Sequence, residues 1–143
     1  MAGTVIRVMP KRTLDFTSVQ SGTASAEEIV LAQNIDVSMW REVSLMVRTH
    51  SSGFPGANIG KIEIYALMEG RTPEDPALLF TTTTQLATVT IDNTVVAPSF
   101  TVNGVTSPFG SMLKIAAKGT RTSSNGTNQI QAAVSIDLSC KSA

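Results

Sequence analysis

The sequence is poor in the side chains from which most enzyme sites are built. It has one histidine, one cysteine and one tryptophan among its 143 residues. A single cysteine excludes an intrachain disulfide, and one histidine with one cysteine supplies too few ligands for a zinc site. We therefore expect no catalytic site, no metal and no cofactor, and we interpret Cys140 as a small buried apolar side chain.

Charge is scarce as well, and it is balanced. Charged residues make up 15% of the chain, and eleven basic side chains match eleven acidic ones. Nucleic-acid-binding proteins usually carry a basic face, because phosphate contacts supply most of their affinity, so we expect no nucleic-acid partner. A net charge near zero gives little electrostatic protection against self-association, which suits a subunit of a large assembly.

Long apolar runs are missing too. No segment approaches the length of a membrane span, and residues 1–12 lack the continuous apolar core of a signal peptide. We therefore expect no membrane partner and synthesis in a reducing cytosol. The chain length fits one domain with a real hydrophobic core.

His50 is the one candidate for a general base. A Ser-His-Asp arrangement is formally possible because serine and aspartate are plentiful, but no nucleophile signature flanks His50, and we interpret it as a structural or surface residue. A carboxylate pair such as Glu63 and Glu69 could act as acid and base on a sugar. A solvated strand face explains these two residues better, so an enzyme is the least favoured class.

What the sequence does contain is a period of two. In the segment 129–140, one parity is apolar and the other is largely polar; the apolar set is Ile130, Ala132, Val134, Ile136, Leu138 and Cys140. Strict alternation is typical of a strand with one buried face and one wet face. We predict that this segment is the central or near-central strand on which the others assemble.

Shorter alternating segments recur at even spacing between turn-rich stretches. They predict strands at residues 13–17, 27–38, 42–50, 59–69, 77–81, 86–92 and 112–118, whereas 95–108 is predicted to be a long ordered loop with room for a short edge strand. Helix propensity competes at 26–33, but the alternation continues through Val37 and favours a strand. About eight strands at this spacing predict an all-β chain folded as an antiparallel, jelly-roll-like β-sandwich.

Residues 1–12 are predicted to form an extended N-terminal arm ahead of a single β-sandwich domain at 13–143. Val5, Ile6 and Val8 are apolar, and Pro10 and Lys11 interrupt the run. Such an arm cannot bury itself alone. It either adds to a sheet edge of its own domain or lies across a neighbouring subunit.

Two further places are candidates for contacts with a partner. Trp40 either closes the end of the sandwich or anchors an interface together with Arg41, since tryptophan and arginine are enriched at binding hot spots. Phe54 and Pro55, in the following loop, could serve the same purpose.

The segment 40–50, WREVSLMVRTH, resembles a segment found in small structural proteins of tailed bacteriophages. In those proteins a WREV-x-L-x-V-R strand is followed by an alternating strand, a Pro-Glu-Asp-Pro turn and a terminal SxDL strand. Residues 62–68, 73–76 and 135–138 are similar to these three features, so the resemblance spans roughly residues 29–140.

The resemblance implies a non-enzymatic virion protein, specifically a capsid decoration (cementing) protein. It would be made in the host cytoplasm and would bind the major capsid protein on the capsid surface as a homo-oligomer, with a trimer favoured. The contacts would be made by Val5, Ile6, Val8, Trp40, Arg41, Phe54 and Pro55. Two alternatives remain: a carbohydrate-binding module of the same architecture, with Trp40 and Tyr65 stacking on sugars, and a tail or baseplate component of the virion.

Overall fold

The alternating segments form strands in the computed structural model, which describes residues 3–17, 28–54, 60–71, 79–81, 84–106, 112–121 and 129–142. These residues contain nine strands: β1 (Gly3–Asp15), β2 (Glu28–Asp36), β3 (Glu42–Gly53), β4 (Gly60–Arg71), β5 (Leu79–Thr81), β6 (Ala87–Ile91), β7 (Ser99–Gly104), β8 (Met112–Arg121) and β9 (Gln131–Lys141). The described part of the chain contains no helix long and apolar enough to cross a membrane.

The strands form two antiparallel sheets. One has four strands in the order β1-β9-β3-β7, and the other has the order β2-β8-β4-β5, with β6 also paired to β4. Strand β9 therefore lies between β1 and β3, and this confirms the internal position predicted for the segment 129–140. Its residue Leu138 pairs with Ile6 on one side and with Leu45 on the other.

The core lies between the two sheets. Leu45 and Ile136 from the four-stranded sheet and Ile64 and Ile115 from the other sheet are completely buried and belong to one hydrophobic cluster. Burying each such side chain contributes about 1.5–3 kcal/mol. The predicted antiparallel β-sandwich, jelly-roll-like in form, is confirmed.

The first strand is longer than the sequence predicted. The arm predicted at residues 1–12 and the short strand predicted at 13–17 are joined in β1, which pairs with β9 of the same chain from Gly3 to Asp15. The sheet edge tolerates Pro10 because, among the described strands, β1 pairs with β9 alone, and register shifts lie on both sides of Met9. β1 thus continues across the predicted boundary between residues 12 and 13.

Strand β7 lies inside the segment 95–108, where a long loop with room for a short edge strand was predicted. It pairs with β3 and presents Phe100 and Val102 to solvent while Asn103 reaches the carbonyl oxygen of Thr88 at 2.6 Å. The alternation is reversed relative to a buried strand, since its large apolar residues point outward. The sequence predicted mainly a loop here because Pro98 and Gly104 are turn signals, and the alternation between them is short and inverted.

The sequence favoured a strand over a helix at residues 27–38. The structure confirms this from Glu28 onward, where β2 begins. It pairs with β8, with register shifts around Ala32. Asn34 occupies the left-handed region with φ of 55°, which asparagine adopts more readily than most residues. Its backbone N–H donates to Glu69 Oε1 at 2.9 Å, so the bulge of β2 is tied to a side chain of β4, on the far side of β8.

Candidate functional site

The outer face of the four-stranded sheet carries the most varied chemistry in the described structure. In β3, the buried side chains of Leu45, Val47 and Thr49 alternate with Met46, Arg48 and His50 on the opposite face. Side chains from all four strands enclose a hollow on that face, which we name the outer-face pocket; its lining residues are Arg7, Lys11, Met46, Arg48, His50, Phe100, Ser135 and Asp137.

Two of its cations are held by specific partners. The Nε atom of Arg7 lies 2.8 Å from Asp137 Oδ1, across the register that pairs β1 with β9. The guanidinium carbon of Arg48 lies 5.7 Å from the centroid of the Phe100 ring, since these residues are direct partners in β3 and β7. A cation over an aromatic face contributes about 0.5–1 kcal/mol at an exposed site.

His50 lies in the same pocket and contacts a serine. Its Nε2 atom is 3.0 Å from Ser135 Oγ, so two members of a nucleophilic triad do meet, although 85 residues separate them in sequence. Ser135 is only 6% exposed, and within the described ranges no carboxylate bonds the other ring nitrogen of His50. The pair therefore links β3 to β9, as expected of a structural histidine.

The residues predicted to contact a partner differ widely in exposure. Val5 is 59% exposed, and Arg41 is also exposed. Ile6, Val8 and Trp40 are partly buried and pack against the core. Phe54 is a buried member of the core; Pro55 lies outside the described residues.

These residues do not form one cluster. Val5 pairs with Ser139, and the backbone N–H of Arg41 donates to the carbonyl oxygen of Lys141 at 3.0 Å, so both lie at the same end of the four-stranded sheet. Phe54 follows Gly53, which pairs with Gln131 at the other end of β9. Ten residues of strand separate the two ends, or about 33 Å.

The other sheet also has a partly buried outer face, built around Tyr65. The Tyr65 hydroxyl donates to Glu28 Oε2, and Lys114 Nζ lies 3.0 Å from Glu28 Oε1. The bond from Tyr65 is the main reason that the pKa of Glu28 is lowered, while burial, followed by the bond to Glu28, raises the pKa of Tyr65. Tyr65 is 3% exposed, so its ring face is not available for stacking on a sugar.

Three other predicted positions can be compared directly with the structure. Cys140 is completely buried and burial raises the pKa of its thiol, which confirms the prediction of a small apolar side chain. Glu63 lies on a partly solvated face with its carboxylate 3.4 Å from Lys61 Nζ. Glu69 does not lie on a solvated face, because it is 1% exposed and accepts the Asn34 N–H.

Acidic and metal-ligating side chains are dispersed over the described residues. Among those residues, no group of three or more histidine, cysteine, aspartate or glutamate side chains is placed to hold a metal ion. The contacts that sequence reasoning missed are Arg48 with Phe100, Arg7 with Asp137 and His50 with Ser135. Each joins residues far apart in the chain, so only knowledge of the strand register could have found them.

No family model matches this chain, and no curated protein matches it. Solved structures do. A chain of infectious bursal disease virus, Gx strain, has a TM-score of 0.52 at 15% identity. A chain of the T13 particle of the same virus has a TM-score of 0.54 at 9% identity, and the VP2 subviral particle gives 0.53 at 15%.

The structural match covers nearly all of this chain but only part of each viral one. It includes 97% of this chain and 32%, 30% and 32%, respectively, of the three viral chains. This chain thus spans about a third of their length. At these identities the likeness is one of fold alone: the β-sandwich of this chain resembles part of each viral chain.

Proposed function

We propose that this chain is a structural protein of a virion that packs against neighbouring protein subunits in the shell. The observation that supports it is the backbone likeness, over 97% of this chain, to proteins of icosahedral viral particles. The contact between the partly buried His50 and Ser135, and the dispersal of carboxylates over the described residues, agree with a protein that works by contact.

The finer proposal is a decoration (cementing) protein on the head of a tailed bacteriophage, bound to the major capsid protein as a homo-oligomer, with a trimer favoured. It follows from the resemblance of residues 40–50 and of the later motifs to phage structural proteins. In this role a rigid sandwich spans several capsid subunits and opposes expansion or rupture of the shell.

Contacts at one end of the four-stranded sheet fit this proposal best. Val5 and Arg41 are exposed there, and Ile6, Val8 and Trp40 lie beneath or beside them, partly covered by the core. Phe54 is buried at the other end, so its expected effect is on packing more than on binding, and Pro55 stays a proposed contact of the adjoining loop.

The test is the copy number and location of the chain in purified particles, measured by quantitative mass spectrometry and cryo-electron microscopy. Hundreds of copies on the shell are expected. A handful of copies at one vertex would instead indicate a tail or baseplate component, and absence from the particle would contradict a virion role altogether.

Binding through the exposed end is tested with Val5→Glu combined with Arg41→Glu. We expect lower occupancy on particles and a change in the free energy of unfolding within about 0.5 kcal/mol, because both side chains are exposed. Val96→Glu, at a position that is 83% exposed in the segment before β7, is the matched control. Deletion of residues 1–12 is a poor test, since it removes the buried Met9 from the core.

A further inference from the structure

We propose that the outer-face pocket binds an extended acidic segment of another protein, with Arg7, Lys11 and Arg48 facing its carboxylates and Phe100 facing its apolar side chains. The proposal concerns the chemistry of the pocket and does not depend on the chain being part of a virion. The two proposals can therefore fail separately.

Charge in the pocket is segregated although the chain as a whole is neutral. Three cations, Arg7, Lys11 and Arg48, line the pocket together with one acid, Asp137, whereas the formal net charge of the chain is zero. Asp137 is already paired with Arg7. Across the described ranges no carboxylate forms an ion pair with Lys11 or Arg48, which leaves two positive charges for an incoming anion.

Arg48 is held in a geometry suited to a carboxylate. Its guanidinium lies over the Phe100 ring, and this stacking restricts the side chain before any partner arrives. A planar guanidinium can accept a carboxylate through two parallel N–H···O bonds. Because the group is ordered in advance, less conformational entropy is lost on binding.

The apolar surface beside these cations favours a protein segment over nucleic acid. Phe100 is 51% exposed, and Val102, which pairs with Met46 of the pocket, is exposed as well. A purely anionic partner would leave that surface wet. Three cations are also few beside the basic face of a typical nucleic-acid-binding protein.

The size of the face sets the length of the segment. Crossing from β1 to β7 covers three interstrand gaps, or roughly 14 Å, which about four or five extended residues can span. Successive side chains of an extended peptide point to opposite faces, so a segment such as Glu-Ser-Leu-Ser-Glu, with its acidic and apolar residues at every second position, turns both kinds of side chain toward this path.

The test uses the full chain labelled with nitrogen-15 and titrated with a peptide in which glutamate and leucine take turns at every second position, with serine between them. We expect saturable NMR shifts at Met46, Arg48, Phe100 and Ser135, which weaken as salt is added. Peptides with glutamine in place of glutamate, or serine in place of leucine, should bind about tenfold more weakly. Equal binding of the glutamine peptide, or shifts elsewhere on the molecule, would overturn the proposal.

Variants assign the effect to the pocket. Arg48→Gln combined with Lys11→Gln should weaken binding of the acidic peptide about tenfold, as expected for the loss of two exposed ion pairs, and Phe100→Ser should weaken it independently. Lys61→Gln, on the other sheet, is the matched control and should bind as the parent chain does. The dispersion of the NMR spectrum shows whether each variant is folded.

Two further outcomes identify a different occupant. Tighter binding of a poly-thymidine oligonucleotide at the same residues would mean a nucleic-acid site. Self-association in sedimentation experiments that disappears with Arg48→Gln would mean that a second copy of the chain covers the pocket. Either result would overturn the proposal that an acidic protein segment occupies the pocket.

Discussion

At the scale of single residues, the hydrogen bond between Tyr65 and Glu28 predicts how the stability of the fold depends on pH in acid. The hydrogen bond from Tyr65 lowers the pKa of Glu28 below its ordinary value of 4.5. A lowered folded-state pKa stabilises the fold above the unfolded value, and this stabilisation is lost as pH falls through the folded value. Stability should therefore decline below about pH 4.5.

The variant Tyr65→Phe removes that hydroxyl and keeps the ring. We expect the free energy of unfolding to fall by about 0.5–1.5 kcal/mol at neutral pH, and the decline below pH 4.5 to become shallower. Urea unfolding at a series of pH values measures both. Glu28→Gln is the second variant, since it removes the titrating group; an unchanged acid limb in both variants would show that Glu28 plays no part.

Tyr65 should make the fold sensitive to alkali as well. Burial raises the pKa of Tyr65 above its ordinary value of 10.0. The contribution of the neutral hydroxyl to folding stability is therefore complete below pH 10 and is lost as pH rises further. Tyr65→Phe should then be less sensitive to alkali than the parent chain. Absorbance of tyrosinate, followed as the pH is raised, gives an independent measurement.

Residue burial could largely be predicted from parity, but residue contacts could not. The alternation placed Val134, Ile136 and Cys140 on the buried face, and all three are buried. Glu69 was expected on a solvated face, and it was misjudged because the bulge at Asn34 brings a backbone donor to it. That bulge depends on the pairing of β2 with β8 and is not visible in the local sequence.

At the scale of strands, two glycines should differ in how much stability the same substitution costs. A Cβ added at Gly119 of β8 would overlap the ring of Phe16, whereas one added at Gly104 of β7 would meet nothing within 4 Å. Phe16 is fully buried beneath that strand. Its ring therefore occupies the space that a side chain at Gly119 would need.

We expect Gly119→Ala to lower the free energy of unfolding by about 1–3 kcal/mol, because a packed ring must move. Gly104→Ala is the matched control and should change it by no more than about 0.5 kcal/mol. Chemical denaturation of the two variants side by side measures the difference. Equal stability would mean that Phe16 can shift at little cost.

Strand positions were predictable where the apolar parity faced the core, and less so elsewhere. The long internal strands β3, β4, β8 and β9 all lie at predicted segments. The full extent of β1 was missed because Pro10 and the basic residues beside it interrupt its pattern, although at a sheet edge they are tolerated. The segment that contains β7 was predicted to be a long loop with room for a short edge strand, because its exposed Phe100 and Val102 invert the usual pattern.

At the scale of the whole molecule, the arrangement of the strands in space was beyond the sequence. Alternation indicates which face of a strand is buried, but it does not say which strand is its neighbour. Here β1 pairs with β9, and the first pair joins Gly3 to Lys141, so the two ends of the described chain lie side by side. The outer-face pocket depends on this pairing, since β1 brings Arg7 and Lys11 beside the side chains of β9 and β3.

The same topology predicts how the molecule opens. Strands with a neighbour on both sides have both rows of backbone groups hydrogen-bonded, as β9 does between β1 and β3, and β8 between β2 and β4. Such strands open only with the whole fold, whereas edge strands open in smaller local fluctuations.

We expect amide hydrogen exchange to be slowest in β8 and β9 and much faster along the outer edge of β7. Exchange in β7 as slow as in β9 would mean that its outer edge is covered, either by another part of this chain or by a second copy of it. Repeating the measurement at several protein concentrations separates the two cases, because protection that comes from a second copy is lost on dilution, whereas protection within the sandwich is not.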